Sequence, residues 1–342
     1  MPKPPFEAEL RMLIDIEGTD PPDQIRLIFD KRYFTIDGKD GTDANPVLIT
    51  DKAIGAKREV ATTIKISCID EFDTNQSIKV YSYPKGLLAK PIPQQTFERK
   101  IAGKIIVLAN KNTPKVGKMP AVGNRKTQKF VFVNIKTNIT ISGTPIIGSF
   151  TPDEKVNLQN CLHQGLIQGE FIDKDASGID LVVDLSTNSS FQVGGKFFDT
   201  GTRAYNTDYR INATDKIAHF FTEIRTAFLS MPGNTIYNNH YTVFALGEEV
   251  YDNAAGQVEN IGTKNVILYK NRNNRTLSHE GLHGLGLDHT HDDGQFKPSR
   301  KFIYPRGTVG AVNATDNYMS YVGPARKSTW YWQWKIIKSK IK

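Results

Sequence analysis

The sequence predicts a multidomain chain, with an all-β N-terminal domain over residues 1–148 followed by an α+β domain over residues 149–342. Three features carry this reading. Short alternating or β-branched runs, separated by Asp, Gly, Asn and Pro turns, dominate the first part. Helical periodicities mixed with strand-like runs follow. The charge is also uneven, with 23 Lys+Arg against 16 Asp+Glu in residues 1–150 and 21 against 20 in residues 151–342.

Composition bounds the class. The chain has 342 residues, 39% hydrophobic and 23% charged, which is globular rather than disordered. No apolar run approaches the roughly 18 residues of a membrane span; the longest clean one is Ile105–Ala109. The net charge of +8 raises an anionic partner. Its excess is concentrated between Lys85 and Lys136, where 12 basic residues face one acid, Glu98.

The N-terminal strands are expected at Leu10–Ile16, Ile25–Phe29, Tyr33–Ile36, Thr62–Ile69, Ile78–Tyr83, Gly103–Leu108 and Lys129–Ile135, in a small sandwich or barrel. Asp37-Gly38 and Asp40-Gly41 are hairpin signals, because both dipeptides tolerate positive φ. The run Thr151-Pro152-Asp153-Glu154 starts a helix, with Thr as N-cap, Pro in the first turn and acids near the helix N-terminus. Downstream, Asp180–Leu185, Tyr241–Leu246 and Asn265–Lys270 read as strands, and Ala213–Met231 as an amphipathic helix. A helix over Leu277–Leu285 takes Thr276 as its cap. A last helix near Ser328–Ile337 aligns Trp330, Trp334 and Ile337 as a core stripe. Cys68 and Cys161 make no disulfide framework and are expected as separate buried thiols.

One stretch carries chemistry: Ser278-His279-Glu280-Gly281-Leu282-His283-Gly284-Leu285-Gly286-Leu287-Asp288-His289. Residues four apart on a helix share a face, so His279 and His283 can point at one metal ion. Glu280 is rotated by about 100° from His279, which sets it beside the metal rather than on it. His289 cannot join them from a straight helix. Gly286 solves this, since a helix commonly ends at a glycine in the left-handed conformation and the chain can then turn back. Three imidazoles and one open position describe a catalytic zinc site. The five fixed positions recur by chance on the order of once in tens of thousands of chains of this size.

These residues resemble the metzincin zinc peptidases, whose motif His279-Glu280-x-x-His283-x-x-Gly286-x-x-His289 matches position by position. Asn317-Tyr318-Met319-Ser320-Tyr321 lies where that family places its Met-turn. The resemblance therefore implies Met319 as an apolar floor under the imidazoles. It implies Tyr321 as the astacin- or serralysin-like tyrosine that assists the oxyanion. Thr290 follows the third histidine, where the better-known subfamilies carry their own marker residues, so no subfamily is assigned. The resemblance does not reach residues 1–150.

The expected function is a zinc (Zn2+) endopeptidase with His279, His283 and His289 as ligands, Glu280 as general base and Tyr321 as the oxyanion's hydrogen-bond donor. The expected substrate is a protein or peptide, lying extended along an edge strand of the sheet in the region 241–270. Met1–Leu10 has no apolar leader core. This suggests a secreted effector or toxin delivered by a signal-peptide-independent route, or otherwise a cytoplasmic protein. The N-terminal domain would then engage secretion machinery or an immunity or inhibitor protein, or act as an inhibitory prodomain; nucleic acid is not expected. Two alternatives remain open on the residues alone. One is a structural zinc closed by Tyr321, and the other a non-enzymatic zinc-containing binding module that uses the basic N-terminal face.

Overall fold

The computed structural model describes residues 6–14, 22–42, 45–49, 58–111, 125–140, 143–207, 220–290, 317–320 and 328–341. The chain divides into two compact units, Met1–Arg125 and Lys126–Lys342.

The first unit holds β1 (Phe6–Ile14), β2 (Gln24–Ile28), β3 (Phe34–Ile36), β4 (Val47–Ile49), β5 (Arg58–Cys68), β6 (Gln76–Tyr83), helix α1 (Ile92–Glu98) and β7 (Lys100–Val107). They form two antiparallel sheets, ordered β1-β5-β3 and β4-β2-β6-β7. Inward residues of both sheets, among them Leu27, Phe34, Ile36, Val47, Ile64, Ile66 and Ile78, join Phe72 in one apolar cluster. Burying each such side chain contributes about 1.5–3 kcal/mol. Asp37-Gly38 is a tight turn with φ of 49° and 74°, bridged by Ile36 and Lys39. That is the positive-φ pair a two-residue hairpin loop requires.

The second unit holds β8 (Lys126–Thr137), β9 (Ile146–Ile147), α2 (Pro152–Gln164), β10 (Ile167–Ile172), β11 (Val182–Asp184), β12 (Phe198–Asp199) and β13 (Ala204–Tyr205). After these come α3 (Phe220–Ser230), β14 (Tyr241–Leu246), β15 (Gly256–Val258), β16 (Asn265–Leu268), α4 (Thr276–Gly284) and α5 (Tyr331–Lys340). Its sheet runs β10-β8-β14-β16-β15. The first four are mutually parallel, and β15 is antiparallel to β16. Val131, Val133 and Ile135 pack with Phe220, Ile224 and Phe228 of α3 on one face. Phe130 and Phe132 pack with Leu158 and Leu162 of α2, Leu282 of α4 and Ile337 of α5 on the other.

The boundary between these compact units falls at Arg125/Lys126, whereas the sequence places a domain junction at 148/149, just ahead of the helix that Thr151 caps. β8 is a central strand buried on both faces. Such a strand reads as a continuous apolar run and carries no local mark of which sheet it joins. The charge divides evenly between the two units. Residues 1–125 hold 20 Lys+Arg and 16 Asp+Glu, and residues 126–342 hold 24 and 20, so each unit is +4. The basic run 85–136 straddles the boundary and is not a property of the first unit alone.

Cys68 and Cys161 are buried free thiols, one in each unit. Burial raises the pKa of both. The expected helix Ala213–Met231 is seen from Phe220; its earlier part lies outside the described residues. In α5 the expected stripe is different. Gln333 and Ile337 are the buried positions, while Trp330 is the N-cap and Trp334 is half-buried.

The Thr151 hydroxyl accepts from the Glu154 backbone N–H, and Glu154 returns the bond to the Thr151 N–H, closing a capping box. Glu154 also accepts from Arg272 Nε at 2.6 Å. Arg272 sits in the loop before α4 and donates to the Tyr269 carbonyl at 3.0 Å and to the Ser149 carbonyl. With side chains only 3% and 12% exposed, this ion pair ties the start of α2 to the entry of α4. Arg272→Met leaves Glu154 buried without its counter-charge. It is expected to lower the unfolding free energy by about 3–5 kcal/mol. Urea denaturation measures this, and adding Glu154→Gln is expected to recover part of the loss.

Candidate metal centre

Helix α4 is buried along its whole length. Its N-cap is Arg275, and Thr276 is the first helical residue rather than the cap; ahead of it the Asn273 side chain accepts from the Arg275 N–H at 2.9 Å, while the Asn273 N–H bonds the Thr276 hydroxyl at 3.2 Å. The helix lies against the start of β14 because Gly284 lacks a side chain. Tyr241 donates its hydroxyl to the Gly281 carbonyl at 2.9 Å. A Cβ at Gly284 would overlap that hydroxyl. Burial, helped by the Glu280 charge, raises the Tyr241 pKa, so the phenol stays protonated as a donor.

The helix ends as the sequence requires. Gly286 has φ +94°. Its N–H bonds the His283 carbonyl at 2.8 Å, and the Leu287 N–H bonds the Leu282 carbonyl at 3.1 Å. These two bonds make a Schellman motif with glycine just past the cap. The reversal brings His289 back to the helix. The Nε2 atoms of His279, His283 and His289 form a triangle with edges of 3.2, 3.0 and 3.3 Å.

Main-chain carbonyls set the direction of two of these rings. His279 Nδ1 lies 2.7 Å from the Tyr318 carbonyl, and His283 Nδ1 lies 2.6 Å from the Leu287 carbonyl. A carbonyl only accepts, so each Nδ1 carries the proton and each Nε2 offers a lone pair to the centre. In that tautomer two Nε2 lone pairs face each other at 3.2 Å, an arrangement that a cation between them relieves. A tetrahedral ion with metal–nitrogen bonds of about 2.0–2.1 Å separates its nitrogens by about 3.3 Å. The donor set and its spacing therefore suit a metal ion, and among the described residues this is the one His/Cys/Asp/Glu group of that kind.

Residues 317–320 form a turn behind the centre. The Ser320 N–H bonds the Asn317 carbonyl at 3.0 Å, and the Met319 N–H bonds Asn317 Oδ1 at 2.9 Å. Met319 is fully buried in the cluster that holds Leu282, Leu285 and Leu287. Its carbonyl accepts from the N–H of Thr290, next to His289. Burial pushes the neighbouring Tyr318 phenol up to about 12. Glu280 is 9% exposed and abuts β15: a Cβ on Gly256 of that strand would lie 3.0 Å from Glu280 Cγ.

The structure thus brings His279, His283 and His289 together, with Glu280 on the same helix and the Met319 turn tied to both the first and third histidine segments. Tyr321 lies outside the described residues. Sequence reasoning missed the carbonyls of Tyr318 and Leu287, whose role depends on backbone position and leaves no residue-type signature. It also missed Gln333, which a capping signal could have revealed: Gln at the third helical position bonds back to the N-cap N–H.

Comparison with family models, curated proteins and solved structures finds no match to this chain.

Gly286→Ala places a Cβ in the left-handed region and 3.2 Å from Lys340 Cε. It is expected to destabilise the protein by roughly 1–2 kcal/mol. Urea denaturation in the presence of a chelator reads this backbone cost apart from metal binding.

Proposed function

We propose that this protein is a zinc-dependent endopeptidase of the metzincin kind. The observation that carries the reading is the triangle of imidazole nitrogens, 3.0–3.3 Å on edge, built from a His-Glu-x-x-His helix and a glycine reversal. Three neutral nitrogen donors select zinc over calcium or magnesium, which take oxygen ligands. Bound zinc supplies Lewis-acid polarisation of a peptide carbonyl and of a water molecule.

The chain's own residues do the rest. His279, His283 and His289 hold the ion, with the carbonyls of Tyr318 and Leu287 keeping two of the rings in the ligating tautomer. Glu280 takes a proton from the attacking water and passes it to the leaving amine nitrogen. Tyr321 donates a hydrogen bond to the oxyanion. Met319 supports the ligands from the apolar side. An extended peptide lies along β15, which among the described residues pairs only with β16 and borders Glu280 through Gly256. The effector or toxin role, and docking of secretion machinery or an immunity protein through the first unit, belong to the same proposal and rest on sequence alone. A binding module using a basic N-terminal face has less support, since the two units carry equal net charge.

The test is metal content and peptide hydrolysis of the full-length protein. Wild type is expected to hold about one zinc per chain and to cleave casein or a peptide library, with loss on chelation and recovery on zinc addition. Glu280→Gln is expected to keep the metal and lose roughly 10²–10⁴-fold in turnover. Undiminished turnover in that variant removes Glu280 as the base, and a metal-free, inactive wild type removes the whole reading.

A further inference from the structure

Gln333 is fully buried in α5, at the position one turn before Ile337. An apolar residue would serve packing there, and burying an amide costs free energy unless its groups are bonded. Here they are. Gln333 Oε1 accepts from the Trp330 N–H at 2.7 Å and from Asn317 Nδ2 at 2.9 Å, and its Nε2 donates to Asn317 Oδ1 at 3.3 Å. The orientation of both amides is determined. The backbone N–H groups of Trp330 and Met319 can only donate, so the atoms they meet are Gln333 Oε1 and Asn317 Oδ1. The remaining groups then pair amide to amide.

Asn317 is itself fully buried and sets the turn that follows it. That turn presents the Tyr318 carbonyl to His279 Nδ1 at 2.7 Å and the Met319 carbonyl to the Thr290 N–H at 3.1 Å. A path of hydrogen bonds therefore runs from α5 through the amide pair to the first ligand and to the neighbour of the third. The turn is also anchored by the Tyr318 N–H on the Ser328 carbonyl at 2.8 Å, just ahead of α5.

We propose that Gln333 is a positioning residue for the metal centre, acting through Asn317 and the Tyr318 carbonyl to orient His279 and hold the His289 segment. The assignment rests on the metal-site reading above but not on the peptidase reaction. Groups that orient metal-bound histidines commonly change metal affinity by 10–100-fold when removed. Gln333→Leu keeps similar volume and removes all three bonds. Gln333→Glu is isosteric, keeps the acceptor for Trp330, and sets a carboxylate oxygen against Asn317 Oδ1.

Zinc affinity is measured by competition with a chromophoric chelator, alongside the visible spectrum of the cobalt-substituted protein and the far-UV circular dichroism and melting of the apoprotein. Gln333→Leu is expected to fold and bind zinc 10–100-fold more weakly, with a changed cobalt spectrum. Asn317→Ala is expected to have the same effect, and the double variant no more than either single one. If Gln333→Leu does not fold, Gln333→Glu decides, with weaker zinc binding expected. Zinc affinity within about twofold of wild type in the folded variant, with an unaltered cobalt spectrum, overturns the assignment: α5 would then be a structural support only. Failure of the wild type to bind zinc or cobalt overturns the metal centre and the assignment together.

Discussion

The hydrogen bonds from His279 and His283 to main-chain carbonyls are what the three-histidine centre depends on. In each bond Nδ1–H donates to the carbonyl and an Nε2 lone pair turns inward, so these two imidazoles become like-oriented dipoles about one point. Such a set is repulsive by itself. It persists because the carbonyls belong to segments already held by other forces. The Leu287 carbonyl follows the Schellman end of α4, and the Tyr318 carbonyl lies in a turn bonded to α5.

Those segments are in turn placed by the sheet. β8, β14 and β16 are covered on both faces, and the face that receives α2, α4 and α5 is one continuous apolar cluster from Phe130 to Ile341. Gly284 lets α4 sit close, since a Cβ there would overlap the Tyr241 hydroxyl. The Glu154–Arg272 pair fixes where the chain enters α4. Apolar burial supplies the bulk of the stability, while buried polar contacts determine the direction of the site's side chains.

Charge plays a smaller part than the composition suggests. The whole-chain excess of +8 divides evenly once β8 is counted with the sheet it joins. The basic run 85–136 therefore does not single out one unit as an anion-binding module. Three of its members pair with acids: Lys90 with Glu98, Arg125 with Glu71 and Lys136 with Asp184.

The sequence by itself determined the features set by local geometry. The i, i+4 spacing of His279 and His283, the positive φ at Gly286 and the capping box of Thr151 and Glu154 follow from helix geometry and backbone sterics within a few residues. The tertiary structure alone decided the rest. β8 belongs with a strand more than a hundred residues away, because a strand buried on both faces has no periodicity to assign it. Glu154 meets Arg272 at a separation of 118 residues. The orientation of His279 depends on the Tyr318 carbonyl, and that carbonyl on Asn317 and Gln333. Main-chain acceptors are the same in every residue, so only packing shows which one a buried imidazole finds.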